Sequence, residues 1–327
     1  MKKKREKQRV SNVVMRESRA EPAAKGATGD FLEKLRSDIG HVSKAFSRIG
    51  SYLVADPEAF MHAPLRTIAA GAGISEPSIV RYCKHYGCKG IPEFRIELAK
   101  ALARELPEFR LNLIAPSVSD REQVNVNKKR AIARYAAGLI DRERSIIIDS
   151  GSTLRTFATQ LGESRGLSIF TADLEVVNLL RRYSQHEVIV PAGTVRYDTM
   201  SIGGRLLERI LSELHFDTFF LGADAIELRT GVSTFNEEEA QKNAMMIRAS
   251  DRVIVLADSS KFGTPSLHRI CDIRSIDIVV TDADVEFALV KKFEDLGVAV
   301  HCVDPSTGTR SIAKGSFGEA GKRGSRR

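Results

Sequence analysis

The chain has 327 residues, 43% hydrophobic and 28% charged, with four cysteines and no tryptophan. That length and mix exclude a lone small domain and a disordered chain, and no apolar run approaches the ~18 residues that a membrane-spanning helix needs. The net charge of +8 sits at the ends: residues 1–29 carry nine Lys/Arg against three Glu, residues 304–327 carry six against two acids, and the body between them is slightly acidic.

MKKKREKQRV, at the start, has the charge of an export signal, but no apolar core follows it, so a cytoplasmic protein is expected. Residues 1–29 and 304–327 are rich in Lys, Arg, Gly, Ser and Ala and poor in aromatics, and both are expected as disordered basic tails. Their charge suits a salt-sensitive attraction to phosphate, or simple solubility.

Residues 30–107 are expected to form an all-α domain. Within it LRTIAAGAGISEPSIVRYCKHYGCKG, from Leu65 to Gly90, has the pattern of a helix-turn-helix. Leu65, Ile68 and Ala69 repeat at three- and four-residue spacing, and the first helix is expected to stop at Gly71 and Gly73, with Ile74 plugging the turn. Ser75 is placed to N-cap the second helix, Pro77 sits in its first turn and Glu76 suits its positive end. A 3.6-residue period turns Ile79, Val80, Cys83 and Tyr86 or Gly87 inward and Ser78, Arg81, Lys84 and His85 outward. In such a unit the first half of the second helix meets base edges. Ser75, Glu76, Ser78 and Arg81 are therefore the candidates for base readout, and Lys84 and Lys89 for phosphate contact.

With SRIGSYLVADPEAF before it and IPEFRIELA after it, this segment, about Phe31 to Leu106, resembles the N-terminal DNA-binding domain of the RpiR family of sugar-responsive regulators. The resemblance implies a reader of operator DNA. Cys83, Cys88, Cys271 and Cys302 form no CxxC pair, and Cys83, His85 and Cys88 crowd one helix rather than a metal-ligand spacing. Reduced thiols, no metal and no cofactor are expected.

The run PEFRLNLIAPSVSDREQVNVN breaks the helical period, so residues 108–127 read as a linker. From 128 to 303 helical stretches alternate with apolar runs: SIIID at 145, LSIFT at 167, EVIVP at 187, DTFFLG at 217, VIVLAD at 253, IDIVVTD at 276 and GVAVHCV at 297. This is an α/β pattern with a parallel sheet covered on both faces. In such sheets ligands lie beyond the carboxyl ends of the strands. Those ends read Asp149-Ser-Gly-Ser-Thr153, Thr171-Ala-Asp173, Ala192-Gly193-Thr194, Gly222-Ala-Asp224 and Asp258-Ser-Ser-Lys261. Small, polar and acidic residues gather on one rim, which suits a sugar. Ser150, Gly151, Ser152 and Thr153 lead into a helix and are positioned to offer donors to a phosphate, with Lys261, and Arg196 or Lys242 beside it, to complete its charge.

DSGST, FLGADAIE, GVSTFNEEEAQKNAM and VIVLADSSKFG make residues from about 128 to 303 resemble the sensor domain of the DeoR family of sugar-phosphate-responsive regulators. The resemblance implies a fold like that of ribose-phosphate isomerases and CoA-transferases. It also implies a pocket including Asp149, Ser152, Thr153, Asp224, Glu238, Lys242 and Lys261. Thr171-Ala-Asp173, Ala192-Gly193 and Ala225 depart from that family's usual residues, and the pairing of this reader with this sensor is a hybrid. Both resemblances imply a transcription regulator of carbohydrate genes, expected as a repressor and a homo-oligomer, dimer or tetramer, released from its operator by a phosphorylated sugar.

The rival is an aldose-ketose sugar-phosphate isomerase carrying a DNA-binding head, with Asp224 or Glu237 as general base. The glycine-run loop with its lysine that such isomerases carry is missing. Glu237, Glu238 and Glu239 also have a plainer role as acids in a helix's first turn. No GxGxxG follows the first strand, which argues against a dehydrogenase.

Overall fold

The computed structural model describes residues 31–103, 117–197, 199–263, 265–311 and 313. The basic tail expected at 1–29 lies outside them, as does most of 304–327. Two compact units divide the chain, Met1–Val124 and Asn125–Arg327.

In the first unit the described elements are helices: α1 (Phe31–Ser37), α2 (Lys44–Ala55), α3 (Pro57–His62), α4 (Leu65–Ala72), α5 (Glu76–His85), α6 (Ile91–Ala103) and α7 (Val118–Gln123). Local chemistry sets their starts. Ser43 accepts from the Phe46 N–H to cap α2, and Asp56 accepts from Ala59 to cap α3, whose first residue is Pro57. Phe94 on α6 is the hub of the core, its ring edge-on or tilted against Phe31, Phe60 and Tyr82 at 5.3–5.7 Å. Helix α7 lies inside the stretch expected as linker. Ser117 caps it, and Asp120 pairs with the buried Arg95 of α6 at 3.3 Å. Arg95 also donates to the Phe60 and Ala63 carbonyls at the end of α3, so one guanidinium ties three helices.

The second unit opens with α8 (Val126–Ala137) and continues β1 (Ser145–Ile148), α9 (Ser152–Ala158), β2 (Ser168–Thr171), α10 (Leu174–Leu180), β3 (Glu187–Ile189), β4 (Thr194–Arg196), β5 (Ser201–Gly203), α11 (Arg205–Leu211) and β6 (Phe216–Leu221). After these come β7 (Ala225–Glu227), β8 (Gly231–Thr234), α12 (Glu237–Arg248), β9 (Ser250–Leu256), β10 (His268–Cys271), β11 (Ile278–Asp282), α13 (Phe287–Asp295) and β12 (Ala299–Val303).

The seven apolar runs of the sequence are the strands of one parallel sheet, ordered β12-β11-β9-β6-β1-β2-β3. Its side chains alternate between two apolar layers. Ile146, Ile148, Ile169 and Phe220 pack under α8, α9 and α10 with Ala133, Leu154 and Val176, whereas Ile147, Phe170 and Phe219 pack with Leu207, Met246 and Phe293 of α11, α12 and α13. Helices on both faces explain why the strands are apolar throughout. From β1 the chain builds outward to β2 and β3, then returns to β1's other side with β6 and continues to β12. Strand order therefore reverses between β1 and β6, where such sheets leave a crevice at their carboxyl ends.

Five short strands were not anticipated: the hairpin β4–β5 and the antiparallel sheet β10-β8-β7. Residues 304–311, assigned by composition to a tail, also fold back. Arg310 bridges Val303, Ser311 donates to the Cys302 carbonyl at 2.7 Å, and Ala313 is buried, which covers an otherwise open strand edge.

Candidate DNA-reading helix and strand-end site

Helix α4 ends at Gly73, not at Gly71, which lies within it. Gly73 adopts φ +62°, and the Ile74 N–H reaches back to Ala69 while Gly73 reaches Ala70, closing a Schellman turn. A side chain at Gly73 would be strained and would also meet the Arg48 guanidinium. Gly71 is needed for a different reason: a Cβ there would run into the Tyr52 ring.

Helix α5 is rotated relative to the sequence expectation. Ser78, Ile79, Tyr82 and Cys83 are its buried residues, Val80 and Tyr86 are half-buried and Gly87 is exposed. Tyr82 turns inward because its ring fills the space between Phe46 and Phe94. Ser75, Glu76, Arg81, Lys84 and Lys89 are exposed as expected, whereas Ser78 is only 7% exposed. Ser75 stands at the N-cap position, but its side chain makes no capping bond and instead meets the Ser78 hydroxyl at 2.9 Å. Arg81 donates to that same hydroxyl at 3.1 Å. Cys83 and Cys88 are core residues whose thiols burial pushes up to about 12.

At the strand ends of the second unit, Asp149 follows β1 and is 3% exposed. Its Oδ2 accepts from the Gly222 N–H at 3.2 Å, just past β6, and from Asn243 Nδ2 at 3.0 Å. Lys242, also buried, lies 3.3 Å from Asp149 Oδ1 and donates to Ser150 Oγ at 3.1 Å. The reversal point between β1 and β6 thus holds an acid, a cation and a hydroxyl, delivered by β1 and α12. Asn236 caps α12 at Glu239, which fixes the helix that carries Lys242 and Asn243.

The other expected site residues divide. Ser152 and Thr153 start α9 beside this group and are mostly buried. Gly151 has φ +121°, and its N–H points at Asp173 Oδ2 at 3.4 Å. Asp173 is fully buried and also accepts from Arg155 Nε and Nη2 and from the Glu175 and Val176 N–H groups. Its capacity is spent on holding the β1 loop and capping α10, so it orders the rim from beneath. Thr171 is likewise buried, its hydroxyl taken by the Asp173 N–H. Gly193 is explained by packing, since a Cβ there would meet the Gly203 carbonyl of β5. Arg196 approaches the exposed Glu238 at 4.0 Å. Asp224 accepts from Thr234 Oγ1 at 2.9 Å and from the Phe235 N–H.

Lys261 ends a 3-10 turn capped by Asp258. Burial would raise the Asp258 carboxyl, but Lys261, the Ser260 hydroxyl and Lys129 outweigh it and hold the group below the usual range. Asn243 and Arg155 were missed. Asn243 adjoins Lys242 in the sequence, and its Oδ1 is a buried acceptor with no partner among the described residues. Arg155 gave no such signal, since a basic residue in the last turn of a helix is ordinary.

Residues 124–283 match the DeoR C terminal sensor domain, and residues 29–105 the helix-turn-helix domain of the rpiR family. A protein of Escherichia coli O157:H7, provisionally named an aga operon transcriptional repressor, is 36% identical over 57% of this chain and 70% of its own length. The chain belongs to the DeoR family. Its relatives there include the uncharacterized HTH-type transcriptional regulator YulB of Bacillus subtilis, 32% identical over 57% of this chain and 71% of that protein. The DeoR-family sensor is joined here to an rpiR-type reader, and the chain is a DNA-binding transcription regulator rather than an enzyme. These relatives give the isomerase alternative no support.

Among solved structures, a ribose 5-phosphate isomerase A from Methanocaldococcus jannaschii is 21% identical, covering 42% of this chain and 55% of that one, at a TM-score of 0.33. A likeness at that level carries no argument, and the fold rests on the strand order. Among the described residues no helix is long and apolar enough to cross a membrane.

Proposed function

We propose that this chain represses carbohydrate genes and that a phosphorylated sugar, bound where the strand order reverses, releases it from its operator. The observation that carries the reading is the buried Lys242 beside Asp149 and Ser150. A cation buried at the carboxyl end of a parallel sheet, next to the hydroxyls of Ser150, Ser152 and Thr153, suits a phosphate. Carboxylates at Asp149 and Asp224 suit the hydroxyls of a sugar. Arg196, Glu238 and Lys261 line the approach in this reading, with Gly151, Thr171, Asp173 and Gly193 shaping the rim. In the reader, Ser75, Glu76 and Arg81 face bases and Lys84 and Lys89 face phosphates. A cytoplasmic homodimer would set two such helices in successive major grooves.

The test is the melting temperature of the full chain against a panel of sugar phosphates, with the parent sugars and inorganic phosphate as controls, because a ligand preferring the folded state raises it. A rise specific to one sugar phosphate, lost in Ser152→Glu but kept in Arg81→Ala, is expected. A flat panel would sink the effector reading, and a Ser152→Glu chain that still responds would move the site elsewhere.

A further inference from the structure

We infer that Ser78 is a positioning residue, which aims Arg81 at a guanine in the major groove, and that it reads no base itself. This rests on the DNA-reading function proposed above and assigns parts within that surface. Ser78 lies on the buried side of α5 at 7% exposure, in the helix's first turn, which leaves it little surface to offer a base edge. Its hydroxyl is engaged from two directions, by Arg81 Nη2 at 3.1 Å and by Ser75 Oγ at 2.9 Å.

A guanidinium has donors and no acceptor, so Ser78 Oγ accepts from Arg81. One N–H of Nη2 is thereby used, and among the described residues nothing else engages the planar fork of this exposed side chain. Two parallel N–H groups match the O6 and N7 acceptors that guanine shows in the major groove, and no other base presents that pair. An arginine that is free to swing loses rotamer freedom when it docks, and one already held by Ser78 has lost part of it beforehand. The Ser75–Ser78 contact holds the serine in turn, and being side chain to side chain it is lost if either hydroxyl is removed.

Selection of binding sites from a random duplex library, run on the full chain, tests this whatever the operator sequence is. The wild type should enrich a motif containing guanine. Arg81→Ala should erase the preference at one guanine position, a loss of about 5- to 150-fold in discrimination. Ser78→Ala should weaken the preference at that same position by about two- to tenfold, with the melting temperature and the salt dependence of binding unchanged, and Ser78→Thr should restore it. Unchanged salt dependence separates lost aim from lost phosphate contacts.

Loss at a different position in Ser78→Ala would make Ser78 a reader, and undiminished guanine preference would make its contact with Arg81 idle. Either result overturns the inference while leaving the function standing. A wild-type chain that enriches no motif would overturn the DNA-reading function, and the inference with it.

Discussion

Lys242 and Asp149 form a pair with side chains 7% and 4% exposed, so each is compensated chiefly by the other. Removing one partner of such a pair leaves a charge in a poorly solvated place, which typically costs ~3–5 kcal/mol. Asp149 retains three donors, the Gly222 N–H, Asn243 and the Ser150 hydroxyl, so the lower end of that range is expected. Lys242→Met should therefore lower stability in urea by ~3 kcal/mol and abolish any melting-temperature rise with a sugar phosphate. Asp149→Asn combined with Lys242→Met should recover part of the stability and none of the ligand response. A double variant as unstable as the sum of its singles would show that the two residues do not act as a pair.

The strands of the parallel sheet were legible in the sequence and those of the two small sheets were not. All seven strands of the parallel sheet stood out as apolar runs: six put buried side chains into both apolar layers, and the edge strand β3, half-buried at Val188 and Ile189, is apolar there as well. The strands β4, β5, β7, β8 and β10 mix polar residues or glycine into three or four positions each, so no apolar run marks them. In α5 the amphipathic face was displaced because the period was drawn through Val80, which is half-buried, and passed over Tyr82, which is core. At the rim the residue types were legible, but the sequence could not separate those facing the crevice from those spent beneath it. Asp173 and Asp149 look alike until the donors around each are counted.

The small sheet β10-β8-β7 depends on a backbone feature with no side-chain signature. Gly231 opens β8 at φ +85°, and a Cβ there would strike the carbonyl of Cys271 on β10. The obstacle is backbone, so a rotamer change cannot relieve it, and left-handed geometry adds roughly 1–2 kcal/mol for any residue with a Cβ. Gly231→Ala should thus cost ~3 kcal/mol in all and expose the amides of β8 and β10 to hydrogen exchange while those of β1 and β6 stay protected. Uniform loss of protection would mean instead that the small sheet and the large one unfold together.

At the scale of the whole molecule, regulation requires that an event at the strand ends reach the reading helix, and the chain passes between its two units at Val124 and Asn125. Asn125 holds a left-handed conformation at φ +56°. Its side chain donates to Asp258 Oδ1 at 3.0 Å and to Ser260 at 3.4 Å, in the turn that ends at Lys261. One turn on, Lys128 pairs with Asp282 and Asp284 and donates to Ser259. The first turn of α8 is therefore fastened to the ends of β9 and β11, and an anion that drew Lys261 away from Asp258 would alter the group to which Asn125 is bound. Coupling energies of this kind are typically ~1–3 kcal/mol, a change of about 5- to 150-fold in affinity. Asn125→Gly keeps the left-handed backbone and removes the tether. Binding of a sugar phosphate and of the selected DNA motif should each persist in that variant, measured separately, while the effect of the first on the second falls below about twofold. Coupling of wild-type size in Asn125→Gly would place the route outside this turn, and loss of sugar-phosphate binding itself would make Asn125 part of the pocket and not of the linkage.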